Sequence, residues 1–204
     1  MIGELESLTA RARALAGPGE RAILGIAGAP GGGKSTLAAA LVAELGEAAV
    51  LVPMDGFHFA QAELVRQGTR DRMGAPHTFD VRGYAALLRR LRAAVETVYA
   101  PAFRREIEEP IAGAIAVPPE VPLVVTEGNY LLLDDGDWSQ VRPLLDEAWY
   151  VETDEELRVQ RLIQRHIQFG KTPEYARAWV LRSDERNAAL VATTSAAADV
   201  LVRL

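Results

Sequence analysis

The pattern of apolar runs in this 204-residue chain predicts an α/β fold, a three-layer αβα sandwich around a five-stranded parallel sheet. Three observations lead there. Five short apolar runs, at 22–27, 49–53, 123–126, 147–152 and 199–204, have the length of buried strands. Stretches with helical spacing separate most of these runs, as a parallel sheet covered on both faces requires. Polar residues follow directly on the first three runs, and in such sheets ligands bind beyond the carboxyl ends of the strands.

The elements follow in order. Residues 4–16 carry leucine and alanine at helical spacing and stop at Gly17-Pro18-Gly19. The strand at 22–27 runs into Gly28-Ala29-Pro30-Gly31-Gly32-Gly33-Lys34-Ser35-Thr36, and 37–45 is helical. The strand at 49–53 is closed by Met54-Asp55-Gly56-Phe57-His58. Residues 59–76 are polar and irregular, 84–98 are helical, and the proline-rich stretch 101–122 has too weak a period to predict an element. The third strand leads into Glu127-Gly128-Asn129-Tyr130, and helices at 154–169 and 172–191 lie between the last two strands. The length suits one domain spanning 1–204.

Composition removes several kinds of chemistry. Without cysteine there are no disulfides, thiolate metal sites or cysteine nucleophiles. His58, His77 and His166 are too scattered for a histidine metal cluster. A net charge of −6 argues against a general nucleic-acid binder. No apolar run approaches the ~20 residues of a membrane span, and the charged N-terminus lacks the apolar centre of a secretory signal. The expectation is a cytoplasmic protein acting on a small molecule, with no nucleic acid or membrane as partner. A homodimer is the commonest assembly for such a protein.

Residues 28–35 match G-x-x-x-x-G-K-[ST] in full, between a strand and a helix. Glycines let the backbone curl so that its N–H groups point at phosphate oxygens, and the helix N-terminus adds a favourable dipole. The motif therefore predicts a nucleoside triphosphate site formed by Gly28, Ala29, Pro30, Gly31, Gly32, Gly33, Lys34, Ser35 and Thr36. Lys34 reaches the β- and γ-phosphates and Ser35 holds Mg²⁺. Glu127, at the end of a buried strand, is placed to order the magnesium and its water. Asp55, at the end of another, faces the γ-phosphate and is the candidate base for an attacking hydroxyl. His58 either contacts substrate or packs with Phe57 and Phe59. Asp80 either caps a helix or contacts substrate. Arg158, Arg161 and Arg165 share a helix face by spacing, fit to neutralise charge on a transferred phosphoryl group, and a mobile lid is expected over about 158–186.

Taken together, these residues resemble the uridine kinase and bacterial pantothenate kinase group of P-loop kinases. Within it, the chain is similar to bacterial proteins described as fructose-transport-system kinases or nucleoside/nucleotide kinase family proteins. The resemblance is carried by the P-loop, by Pro53-Met54-Asp55-Gly56-Phe57-His58, by Gly74-Ala75-Pro76-His77-Thr78-Phe79-Asp80, by Tyr99-Ala100-Pro101-Ala102-Phe103-Arg104-Arg105, and by Thr126-Glu127-Gly128-Asn129-Tyr130. It implies ATP and Mg²⁺ as cofactors and transfer of the γ-phosphoryl group to a hydroxyl. It makes Asp55 the base, Glu127 a magnesium-side carboxylate, and Arg161 and Arg165 lid groups. It brings Asp80, Tyr99 and Arg104, with Asn129, near the acceptor. Uridine kinases differ at Gly56-Phe57-His58 and near Phe103-Arg104-Arg105, both segments that the resemblance assigns to the acceptor. The other class of protein compatible with a P-loop is an NTPase switch or nucleotide-sensing regulator with no small-molecule acceptor.

Overall fold

In the computed structural model, which describes residues 2–17 and 19–204, helices and strands alternate around a parallel sheet. The first half contains α1 (Ile2–Leu15), β1 (Ala22–Gly28), α2 (Lys34–Leu45), β2 (Ala49–Leu51), α3 (Gln61–Gln67) and α4 (Val81–Ala93). A hairpin of β3 (Val98–Arg104) and β4 (Glu109–Val117) follows. The chain then returns through β5 (Leu123–Gly128), β6 (Glu147–Glu152), α5 (Glu155–Gln168), α6 (Pro173–Trp179), α7 (Glu185–Ala192) and β7 (Val200–Arg203). Pro18, the middle residue of the expected helix stop, lies outside the described residues.

The sheet order is β2-β5-β1-β6-β7, all parallel. β1 is central and all seven of its residues are buried, which is why it reads as an unbroken apolar run. Alternate residues point to opposite faces. Ile23 joins a core with Tyr84, Leu87, Leu88 and Leu91 of α4. Leu24 and Ile26 join another with Leu37, Ala38 and Leu41 of α2 and Ala12 of α1. On α4 the buried leucines and Tyr84 recur at i, i+3, i+4 and i+7, each worth roughly 1.5–3 kcal/mol when fully buried. Buried Arg21 ties the entrance of β1 to its surroundings: it donates to the carbonyls of Val121 (2.7 Å), Leu91 (2.8 Å) and Pro118.

Four expectations need correction. The helix placed at 84–98 runs from Val81 to Ala93 instead. Asp80 is its cap, Oδ1 accepting from the Gly83 N–H at 2.9 Å, and Val98 already belongs to β3. The proline-rich stretch 101–122 contains most of an antiparallel hairpin. The irregular stretch 59–76 contains α3, whose only buried residue is Leu64. The helix placed at 172–191 is broken by a π-helical turn at Val180–Asp184.

Candidate active site

The loop between β1 and α2 is held by what lies against it. Gly31 has φ +77°, and a Cβ there would fall 2.7 Å from Leu162 Cγ and 2.8 Å from the Arg158 carbonyl oxygen, both on α5. Only glycine serves at such a close approach. Arg158 is 5% exposed; it bonds the Pro30 carbonyl at 3.4 Å and pairs with Glu185 of α7 at 2.7 Å. It therefore fastens two helices to the loop and does not share the outward role of Arg161 and Arg165. Thr153 adds a hydrogen bond to the Gly32 carbonyl at 2.7 Å.

Lys34 opens α2 and is 6% exposed. Its ammonium donates to the Ala29 carbonyl (3.0 Å) and to Asn129 Oδ1 (2.9 Å), so Asn129 touches the P-loop lysine directly. Burial pulls the Lys34 pKa down to about 8, with Glu127 and Asp55 resisting that fall. Ser35 Oγ donates to Glu127 Oε1 at 3.0 Å. Glu127 is also buried. Burial raises its pKa, Asp55 raises it further, and Lys34, Ser35 and Arg105 hold it back.

A hydroxyl and a buried carboxylate side by side at a helix N-terminus form an all-oxygen donor set, which suits a hard cation. A cation there would relieve the desolvated Glu127 charge. Among the described residues no group of three or more acidic, histidine or cysteine side chains clusters as a metal cage. This accords with Mg²⁺, which keeps waters and substrate phosphates as most of its ligands. Ser35 and Glu127 thus fit the ion.

Asp55 lies in the 3₁₀ turn Met54–Phe57 after β2. β2 ends its ladder at Leu51, but two further bonds keep the chain on course: Val52 N–H donates to the Val125 carbonyl at 2.8 Å, and the Thr126 hydroxyl donates to the Val52 carbonyl at 2.6 Å. Thr126 in turn bonds the buried Tyr84 hydroxyl at 2.6 Å. The turn is also stitched to 78–80 through Phe59 N–H to the Thr78 carbonyl (3.0 Å) and Asp80 N–H to the Phe57 carbonyl (2.8 Å). Gly56 is pressed on the Pro101 carbonyl of the hairpin, so any side chain there would collide with backbone.

Arg105, just past β3, pairs with Asp55 at 2.8 Å. Burial alone would raise the Asp55 pKa; the charges of His58 when protonated, Arg105, Lys34 and Arg165 overcome it and hold the carboxyl below its ordinary value. Burial keeps His58 neutral at neutral pH despite Asp55 beside it. Its Nδ1 lies 2.7 Å from the Asp55 carbonyl oxygen and its ring packs on Phe79 and Phe103. The ring therefore packs on Phe79 and Phe103 where Phe57 and Phe59 were expected, and His58 also lines the cleft. Arg165 is pushed below its ordinary pKa by burial and by Arg105. Arg105 and Arg165 thus both act on Asp55, with Glu127 and Asp184 further off, and this pair of guanidiniums suits an anion.

These groups line one cleft of about 1220 Å³ that runs from α1 to α6. Of the sequence-predicted residues, Lys34, Ser35, Asp55, His58, Glu127, Asn129, Arg161 and Arg165 meet in it, beside Pro30, Gly31, Gly33 and Thr36. Asp80, Tyr99 and Arg104 do not line it. Asp80 is spent on its helix cap, Tyr99 is 61% exposed on β3, and Arg104 lines a shallow hollow that adjoins the cleft through Phe103, Arg105, Glu106 and Phe169. The sequence reading assigned the segment Phe103-Arg104-Arg105 to the acceptor but singled out Arg104, whereas Arg105 is the one that reaches Asp55. Strand alternation carried one residue past β3 signals it, because Phe103 and Arg105 share a side and Arg104 takes the other. Lys171, His166, Trp179 and Asp184 on the α5–α7 side were also missed. Lys171 lies 3.0 Å from His166 Nδ1 and 4.7 Å from the Trp179 ring centre, and His166 pairs with Asp184 at 2.9 Å.

The pattern of the phosphoribulokinase / uridine kinase family matches residues 23–204. The chain belongs to that family. A Schizosaccharomyces pombe protein named "Putative uridine kinase C227.14" is 32% identical over 214 residues, covering 99% of this chain and 91% of its own length. The uncharacterized protein YggC of Escherichia coli K12 is 35% identical over 194 residues, covering 92% and 79% respectively. A crystal structure described as a "putative fructose transport system kinase" from Silicibacter sp. TM1040 superposes with a TM-score of 0.86 at 36% identity, covering 97% of this chain and 98% of that one. Membership makes the chain a P-loop kinase, a phosphotransferase of the small-molecule type. Among the described residues no helix is long and apolar enough to cross a membrane.

Proposed function

We propose that this protein is an ATP- and Mg²⁺-dependent kinase that transfers the γ-phosphoryl group to a hydroxyl of a small molecule such as a nucleoside, a sugar or a pantothenate-like alcohol. The observation that carries this reading is the convergence of Asp55, Lys34, Glu127, Arg105 and Arg165 on the P-loop. Lys34, released from Ala29 and Asn129, holds the β/γ oxygens. Ser35, with Glu127 behind it, would hold magnesium, which would supply charge neutralisation to the phosphates. Asp55, ionised at neutral pH, receives the acceptor hydroxyl in place of its Arg105 partner, orients it, and takes its proton as the bond to phosphorus forms. A low pKa suffices for that role, since phosphoryl transfer rests mainly on positioning and charge neutralisation. Arg105 and Arg165 stabilise the charge spread over the transferred group. Residues 158–186 form the lid whose closure keeps water from the phosphoryl group, and His58 and Asn129 border the acceptor.

The test is ADP formation from ATP and Mg²⁺ against a panel of nucleosides, sugars, pantothenate and related alcohols, with mass spectrometry of the ester. One acceptor should raise turnover far above background, and Asp55→Asn should lower that rate by roughly 10²–10⁴-fold while ATP still binds. Slow hydrolysis indifferent to every acceptor and to Asp55→Asn would instead support the switch or sensor reading.

A further inference from the structure

The chain holds two lysines against twenty arginines, and both lysines, Lys34 and Lys171, line the cleft. Lys34 belongs to the phosphate loop. Lys171 follows α5, and the phosphoryl-transfer mechanism does not use it. An arginine there would supply the same charge, but only lysine can give up its proton and become a nucleophilic amine. The surroundings of Lys171 suit that change. Its backbone N–H donates to the His166 carbonyl at 3.0 Å, and its Nζ lies 3.0 Å from His166 Nδ1. The other ring nitrogen, Nε2, is 2.9 Å from Asp184 Oδ2. A carboxylate at Nε2 fixes the ring proton there and leaves the Nδ1 lone pair facing the lysine. Asp184, His166 and Lys171 thus form a carboxylate–imidazole–amine relay, with the amine in the nucleophile's place. Nζ also sits 4.7 Å from the centre of the Trp179 ring. That face favours the ammonium, so reaction at nitrogen needs the base that His166 provides. Burial draws the Lys171 pKa below its ordinary value, Arg165 adds to the fall, and Glu108 and Asp184 oppose it. Arg165 and Arg182 line the same wall. Among the described residues neither is paired with a carboxylate, which leaves both guanidiniums open to a phosphate.

We propose that Lys171 is a modification site, acylated by an acyl phosphate that Arg165 and Arg182 hold while His166 acts as base. The Lys171 ammonium gives one proton to His166 Nδ1, and Asp184 stabilises the imidazolium that forms. The free amine attacks the carbonyl carbon of the acyl phosphate. As the N–C bond forms and the C–O bond to phosphate breaks, the second proton leaves with hydrogen phosphate. The resulting amide is neutral, so the acceptor end of the cleft loses one positive charge. Lys34 is not matched to this chemistry: its ammonium is bonded to Ala29 and Asn129, with no imidazole beside it. The proposal stands or falls independently of the kinase reading.

Incubating the full chain with acetyl phosphate, and following both lysines by peptide mass spectrometry, tests it with Lys34 as the internal reference. Lys171 should acetylate at least about tenfold faster than Lys34. His166→Asn, which removes the base, should slow Lys171 at least about tenfold and leave Lys34 within about twofold of wild type. Asp184→Asn keeps a polar contact to the ring but removes its charge, and should slow Lys171 about threefold or more. Melting temperatures verify that the variants fold, and if His166→Asn does not, Asp184→Asn decides. Excess inorganic phosphate should slow Lys171 in the wild-type chain by occupying the guanidiniums. Equal rates at the two lysines, a Lys171 rate indifferent to the folded variants, or one that excess phosphate leaves unchanged would each overturn the proposal.

Discussion

The two walls of the cleft reach their positions by different means. On one wall, 28–35 is clamped from behind: Gly31 lies against Leu162 and the Arg158 carbonyl, Gly32 is bonded by Thr153, and Lys34 is buried. On the other, the turn at Arg105 and the α5–α7 side present long charged side chains, such as Lys171 and Arg182, which both lie against the Trp179 ring. The first wall is specified by backbone and packing, and the second by side chains with room to move. Loop backbone with buried partners sits at the stable end of a protein's opening spectrum, and side-chain arrays with few buried contacts at the other.

Substitutions should separate the walls. Lys34→Met removes a buried charge from the fixed wall without opening a cavity. We expect roughly a 10²–10³-fold loss in kcat/KM, with urea stability equal to wild type or higher. A large stability loss would show that the lysine, and not the backbone, holds the loop. Gly31→Ala should act in the reverse sense. Forcing a Cβ into the Leu162 contact at positive φ should cost about 1–3 kcal/mol of stability and lower ATP affinity with it. Unchanged stability would show that α5 yields easily and that the fixed wall is softer than its geometry implies.

The pH dependence of ATP binding is the next sharpest measurement. Lys34 in the free protein loses its proton near pH 8, so affinity should fall as pH rises through about 8, and binding below that point should proceed with the ammonium intact. Its folded pKa lies below the ordinary value of 10.5, so the unfolded chain binds more protons between about 8 and 10.5. This group therefore makes stability rise with pH across that window. Affinity flat from pH 7 to 9.5 would remove Lys34 from the phosphate contacts. The smallest effects belong to Arg104→Ala and Tyr99→Phe, which should leave kcat/KM within about twofold, as for exposed surface positions. A tenfold loss at either would bring the hairpin's outer face into the acceptor site.

The same contrast explains what the sequence disclosed. β1, β5 and β6 were legible because burial on both faces leaves unbroken apolar runs, and the P-loop because backbone geometry demands glycine at Gly31 and Gly33. The β3–β4 hairpin was hidden: Pro101 and Gly113 interrupt it, and its half-exposed residues blur the two-residue period. α3 escaped because seven residues bury one leucine. Asp80 was ambiguous by nature, since one carboxylate caps a helix as readily as it binds substrate, and only the Gly83 contact decides what it does here. Arg105 was passed over for its neighbour because a strand must be recognised before its alternation can be read. Convergence across the cleft depends on tertiary contacts 50 residues or more apart, such as the Arg105–Asp55 pair, which no local pattern contains.

The buried hydroxyl chain from Tyr84 through Thr126 to the Val52 carbonyl joins the strand end that carries Asp55 to the strand that carries Glu127. Neither hydroxyl touches the cleft. On the proposed mechanism they act as a ruler: the spacing between the two carboxylates is set from beneath, by the sheet and α4, and is indifferent to what happens above. The hairpin and the α5–α7 side are thereby free to diverge. A substitution in the ceiling can therefore reshape what the cleft admits while the floor keeps its own measure.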